Sequence, residues 1–133
     1  TTQIPVDDTI PQNNEGDQYM SLAITPKSAT SKLIIDVVWM GSASIVAGAV
    51  IGALFQDSTA NAIAAAWAPS LTANTAFSII FRHVMTSGTT SATTFKVRAG
   101  VETSGTVTFN GSAGSRFYGG TLASSITITE IKV

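Results

Sequence analysis

The chain carries one histidine, His83, and any catalytic reading must begin there. A serine hydrolase needs an activated serine beside such an imidazole and a carboxylate to orient it, yet no Gly-x-Ser-x-Gly elbow occurs. His83 shares its parity with Phe77, Ile79, Phe81 and Met85, so the ordinary reading is a core or interface imidazole. Asp36 and Glu130 fall within strand patterns and do not define the paired carboxylates of a glycosidase. Asp7, Asp8, Glu15 and Asp17 could offer hard oxygen ligands to calcium, but they lack the spacing and glycine of a calcium loop, and a solvated arm accounts for them. The Gly-rich run from Gly111 to Gly120 has no Gly-Lys-Ser/Thr ending and no strand-to-helix setting, so its glycines are assigned to tight turns. Asn110-Gly111-Ser112 matches a glycosylation acceptor only formally. No catalytic residue, metal ligand or cofactor site is assigned.

Recognition chemistry is better represented. Arg116-Phe117-Tyr118 sits beside flexible glycines, and a guanidinium next to aromatic rings is what sugar or protein recognition uses. Trp67 is the other candidate, a stacking platform if exposed and core or interface if covered; the covered state is the expectation, since fully exposed tryptophan is uncommon. Arg116, Phe117, Tyr118 and Trp67 are therefore the candidate ligand-binding residues.

The elements that position them follow from composition and pattern. At 133 residues the chain fits one domain. It has no cysteine, so packing must supply the stability. Charged residues make up 11% and hydrophobic residues 44%, against roughly 25% charged in an average domain. So uncharged a surface leaves apolar patches that self-association would cover. The net charge of -1 offers no footprint for nucleic acid. The longest apolar stretch, Ala43 to Phe55, is 13 residues, short of the about 20 that span a membrane, so no membrane insertion is expected. No basic segment followed by an apolar one opens the sequence, and Thr1 reads as a cut end inside a longer polypeptide.

Residues 1–18 are polar and proline-containing, which reads as an extended N-terminal arm, with a β-sandwich domain over 19–133. Met20, Leu22 and Ile24 alternate with polar or small neighbours up to Pro26. Leu33, Ile35, Val37 and Trp39 form one face of the next strand, while Ile34, Val38 and Met40 make its other face apolar too, a pattern that asks for a covering layer such as another subunit. Ile45–Phe55 and Ala62–Ala68 are read as strands, the second because Pro69 ends it too early for a helix. Long alternations follow over 77–86, 94–101 and 106–109. Arg116–Leu122 and Ser124–Val133 supply two last strands, with a bulge near Thr129-Glu130 where the apolar parity changes. Eight or nine short strands without βα alternation predict an all-β antiparallel sandwich or jelly roll.

Taken together, Ile4-Pro-Val-Asp-Asp-Thr-Ile-Pro-Gln-Asn-Asn-Glu-Gly-Asp17, Ile24 to Leu33, Ala53 to Asn61, Arg82-His-Val-Met85, Gly88 to Gly100 and Ser125 to Ile131 resemble the C-terminal tip modules of phage and prophage tail fibres and tailspikes. The resemblance covers nearly the whole chain and carries no diagnostic catalytic motif. It implies a jelly roll similar to tumour-necrosis-factor and complement heads, packed as a homotrimer at the end of a fibre. It further implies a virion, extracellular location, the remainder of a tail fibre chain as covalent neighbour, and a non-enzymatic role in attachment to a host cell-surface glycan or protein receptor. A purely structural trimerising cap is the alternative role.

Overall fold

Period-two alternation gives strands here because β-branched and aromatic side chains suit a pleated surface and Thr and Ser solvate its other face. The computed structural model describes residues 2–133 and contains ten strands and a short 3-10 turn. The strands are β1 (Asp17–Ile24), β2 (Lys32–Ala43), β3 (Gly48–Gln56), β4 (Ala64–Ser70), β5 (Phe77–Thr86), β6 (Thr93–Val101), β7 (Val107–Phe109), β8 (Gly111–Ser112), β9 (Ser115–Arg116) and β10 (Ser125–Ile131). One sheet has the order β1-β6-β3-β4 and the other β10-β2-β5, with β7 pairing the far end of β2. All pairings are antiparallel. The chain changes sheet at every connection from β1 to β7 except the β3–β4 turn, giving the expected all-β jelly-roll sandwich.

The core lies between the sheets. Leu33, Ile35, Val37 and Trp39 of β2 meet Val50 and Leu54 of β3 and Phe95, Val97, Ala99 and Val101 of β6, all inaccessible to solvent. Trp39 anchors one end, with Tyr19 edge-on at 5.9 Å and Phe77 at 6.0 Å between ring centroids. Offset and edge contacts of this kind add to plain burial.

The arm does more than trail from the sandwich. Ile4 is fully buried against Ala49 and Ile51 on the outer face of β3, and its N–H donates to the Val101 carbonyl. The Arg98 guanidinium donates to the Glu15 and Gly16 carbonyls at 2.7 and 2.6 Å. At its other end the arm meets the β3–β4 turn, where Ala62 N–H donates to Pro11 and Asn13 N–H to Ala60. Two glycines, Gly16 and Gly100, permit the approach. Gly16 has φ +61°, which side chains rarely adopt, and an added Cβ there would stand 2.8 Å from the Ala99 carbonyl oxygen. Because the arm covers β3, that strand is buried on both faces from Ala49 to Phe55; the second layer comes from the chain itself. On β2, where a covering layer was expected, Ile34, Val38 and Met40 are only half-buried.

Two local expectations are corrected. The register between β10 and β2 runs unbroken from Ser125 to Ile131, so there is no bulge at Thr129-Glu130; Ile131 simply faces outward, 47% exposed. The register shift is instead in β1, between Gln18 and Met20. The strand expected over Arg116–Leu122 stops at Arg116. Tyr118, Gly119 and Gly120 all have positive φ, which turns the chain into a 3-10 turn and cannot continue a pleat.

Candidate functional site

Three surfaces present residues suited to recognition. The first is the outer face of β10-β2-β5. On it Ile34 stands opposite Val84 and Val38 opposite Ile80 across the β2–β5 pairing. Ile80 is 67% and Val84 51% exposed. Between these apolar pairs lies Asp36 opposite Arg82, joined through two hydrogen bonds, Nε to Oδ1 at 2.7 Å and Nη2 to Oδ2 at 3.2 Å. The hydrogen bond that Arg82 donates to Asp36, and then the charge of that carboxylate, raise the Arg82 pKa further above its already high value. Both partners remain solvent-accessible, so the pair adds little to the single chain's stability.

The second surface surrounds Trp67. It was expected to be core or interface; the structure places it on the outward parity of β4 with 63% of its surface exposed. The reason is local. The alternate positions Ala64, Ala66 and Ala68 take the inward side, and Ala68 is buried in the core, so the indole is left on the face that the arm only partly covers. A hollow of about 220 Å³ opens there between arm and strand, lined by Pro5, Val6, Asp7, Thr9, Pro11, Ile51, Ala65, Ala66 and Trp67. A neighbouring hollow of about 300 Å³ shares Asp7, Thr9, Pro11 and Ala65 and adds Asp8. Asp7 is held by Thr9, whose backbone N–H donates to Oδ1 at 2.8 Å and whose hydroxyl donates to the same oxygen. Those bonds, the hydroxyl's first, keep the carboxyl below its ordinary pKa, because a hydrogen-bonded carboxylate favours its charged form.

The third surface is the loop after β9. Tyr118 is 77% exposed and packs its ring 5.9 Å from that of Phe117, which is half-buried. Arg116 is exposed, with its guanidinium against Gly120. Phe117 N–H donates to the Asn110 carbonyl, and the Asn110 side chain accepts from Ser124. Arg116, Phe117 and Tyr118 therefore form one anchored loop; Trp67 belongs to a different element and lines none of it.

The remaining chemical candidates have structural partners. His83 is half-buried on the interior parity of β5, opposite Ile35. Glu130 accepts from the Lys27 backbone N–H at 2.8 Å, while Asp36 faces outward with Arg82, so these two carboxylates do not converge. Asp17 accepts from the Thr2 hydroxyl at 3.0 Å and Glu15 from the Gln12 backbone N–H at 2.9 Å; the acidic residues tie the arm. Among the described residues no three His, Asp or Glu side chains gather as a metal site.

Comparison with known families decides the lineage. Residues 5–133 match the model of the Pgp3 C-terminal domain. The chain belongs to that family. Comparison with individual curated proteins returns no match. The Pgp3 C-terminal domain is that of a Chlamydia virulence plasmid protein, and this overturns the tail-fibre resemblance together with the phage tail-tip function and virion location it implied. The physical reason for the misassignment is that, beyond the Ile4–Asp17 arm, the quoted segments are turns and strands of a low-charge β-sandwich, rich in Thr, Ser and Ala. Any chain under the same packing demands writes similar segments, so they report architecture and not descent. The sandwich itself is compatible with the tumour-necrosis-factor-like fold.

Proposed function

We propose that this Pgp3 C-terminal family domain is a non-enzymatic assembly module that joins two further copies of itself through the open face of β10-β2-β5. The observation that carries this reading is the pair of apolar cross-strand contacts, Ile34 with Val84 and Val38 with Ile80, on a face that, among the described residues, no segment covers as the arm covers β3. Removing apolar surface from water contributes about 25 cal/mol per Å², and contiguous exposed apolar patches mark association sites. With only 11% charged residues, the rest of the surface offers little electrostatic repulsion against approach. The Asp36–Arg82 pair at the centre of the face fixes the register of approach, since a mismatched partner would leave a charge stranded in an apolar contact. The number three rests on the jelly-roll architecture shared with tumour-necrosis-factor and complement heads. An enzymatic role has less support: His83 faces the sandwich interior and the carboxylates serve structural hydrogen bonds.

Light scattering across a dilution series tests the proposal. The expected mass is three times 13.7 kDa, falling to the single-chain value in Ile80→Lys with an unchanged far-ultraviolet spectrum. A stable monomer of the unaltered chain sinks it.

A further inference from the structure

We infer that the groove between the N-terminal arm and β4 is a binding site for a neutral saccharide, which stacks on Trp67 and donates hydroxyl hydrogen bonds to Asp7. Four observations converge on this site. The indole is 63% exposed, although a chain able to seal Ile4 completely could have covered it. The strand around it is Ala64-Ala-Ala66-Trp67-Ala68, so small neighbours leave the ring face clear. Two adjoining hollows, about 220 and 300 Å³, meet along Asp7, Thr9, Pro11 and Ala65, enough for more than one ring of a chain-like ligand. Finally, the arm that forms the opposite wall is fixed at both ends, by Ile4 and Arg98 on one side and by the Pro11–Ala62 hydrogen bond on the other. The groove is therefore preformed, as ligand sites generally are.

The chemistry of the lining selects the ligand. An exposed tryptophan beside a fixed acceptor suits a molecule with one apolar face and hydroxyls at its edge, which is the character of a pyranose. Asp7 spends Oδ1 on Thr9, and among the described residues Oδ2 has no protein donor, so it is open to ligand hydroxyls. The lining holds Asp7 and Asp8 and no Lys, Arg or His, which repels sialylated and sulfated sugars. Trp67 faces outward from the β1-β6-β3-β4 sheet, whereas the proposed assembly face belongs to the other sheet, so the site remains accessible whether or not the chain self-associates.

The test is binding of the 133-residue chain to immobilised neutral, sialylated and sulfated oligosaccharides, followed by titration with the best neutral one. Expected are neutral hits only, a loss of affinity of more than tenfold in Trp67→Ala, partial retention in Trp67→Phe, and no change in Tyr118→Ala. Thermal unfolding of each variant must match the unaltered chain, and Trp67→Phe keeps the assay informative if Trp67→Ala does not. Three outcomes overturn the proposal: no neutral hit, binding that survives Trp67→Ala, or a change in solution mass on Trp67→Ala, which would make the indole a subunit contact.

Discussion

Gly100 lies directly beneath Ile4: a Cβ at position 100 would stand 2.9 Å from Ile4 Cγ1 and 2.6 Å from the Thr2 carbonyl oxygen. The second neighbour is backbone and cannot swing aside, so β6 must be bare there for the arm to lie flat. Gly100→Ala should destabilise the domain by about 1–3 kcal/mol, the usual range for overpacking a tight contact. Chemical denaturation measures the loss, and hydrogen exchange at the Ile4 amide, now bonded to Val101, should accelerate before the sandwich amides do. Unchanged exchange at Ile4 would mean that the arm docks without this clearance.

The two tryptophans should behave as opposites. Trp39 is inaccessible and Trp67 is 63% exposed, so acrylamide should quench about half of the fluorescence readily and leave the rest protected. Trp67→Phe should abolish the quenchable fraction. Trp39→Ala, by contrast, should cost about 3–5 kcal/mol through the cavity it leaves, which thermal unfolding would register as a large loss.

Acid should loosen the arm before it unfolds the sandwich. The Thr9 hydrogen bonds, the hydroxyl's foremost, hold the Asp7 carboxyl below its ordinary pKa in the folded state. A depressed folded pKa contributes stability that is present above the unfolded value and lost as pH falls through the folded one. The contribution is therefore complete at neutral pH and disappears below the ordinary carboxylate range. Amide exchange of Thr9 and Ile10 followed down to that range should rise in the unaltered chain. In Thr9→Val, which removes the hydroxyl, the rise should begin at higher pH; an identical profile would assign the acid response to another carboxylate.

Asp36→Asn should separate assembly from folding. The Arg82 side chain is 63% and the Asp36 side chain 38% exposed, so in the isolated chain solvent can take over the lost pairing and the melting temperature should barely move. At a covered interface the unpaired guanidinium has no such recourse, so the dilution midpoint of the assembly should rise to higher protein concentration. A fall in melting temperature at concentrations where the chain is monomeric would instead give the pair a role within the sandwich.

Strand positions and facing were legible wherever apolar and polar residues contrast. Phe95, Val97 and Ala99 alternate with Thr94, Lys96 and Arg98, and the sandwich buries the first set. The facing of Trp67 could not be read because its strand has no contrast: alanine on both parities leaves the facing undetermined, and only the tertiary fold excludes the core position. The loop at Tyr118 was misread as strand because aromatic residues suit pleats, while the adjacent Gly119-Gly120 marked the turn more reliably. The burial of Ile4 was invisible, since Ile4, Val6 and Ile10 are too few in a polar, proline-containing stretch to set a period; its trace is bare glycine at positions 16 and 100, distant in sequence. The groove beside Trp67 could not be foreseen for the same reason, as it exists only once the arm has crossed the sheet.

That crossing imposes an order of events during synthesis. The arm is held by Arg98, which is synthesised 83 residues after Glu15, and by Val101 beyond it. The Ile4 end of the arm cannot be fixed in full while β1 to β5 are made, and it settles only when β6 completes the surface it grips. The arm, made before the strands it crosses, thus finds its final place after them, and the outer wall of the Trp67 groove is finished only when the β1-β6-β3-β4 sheet is.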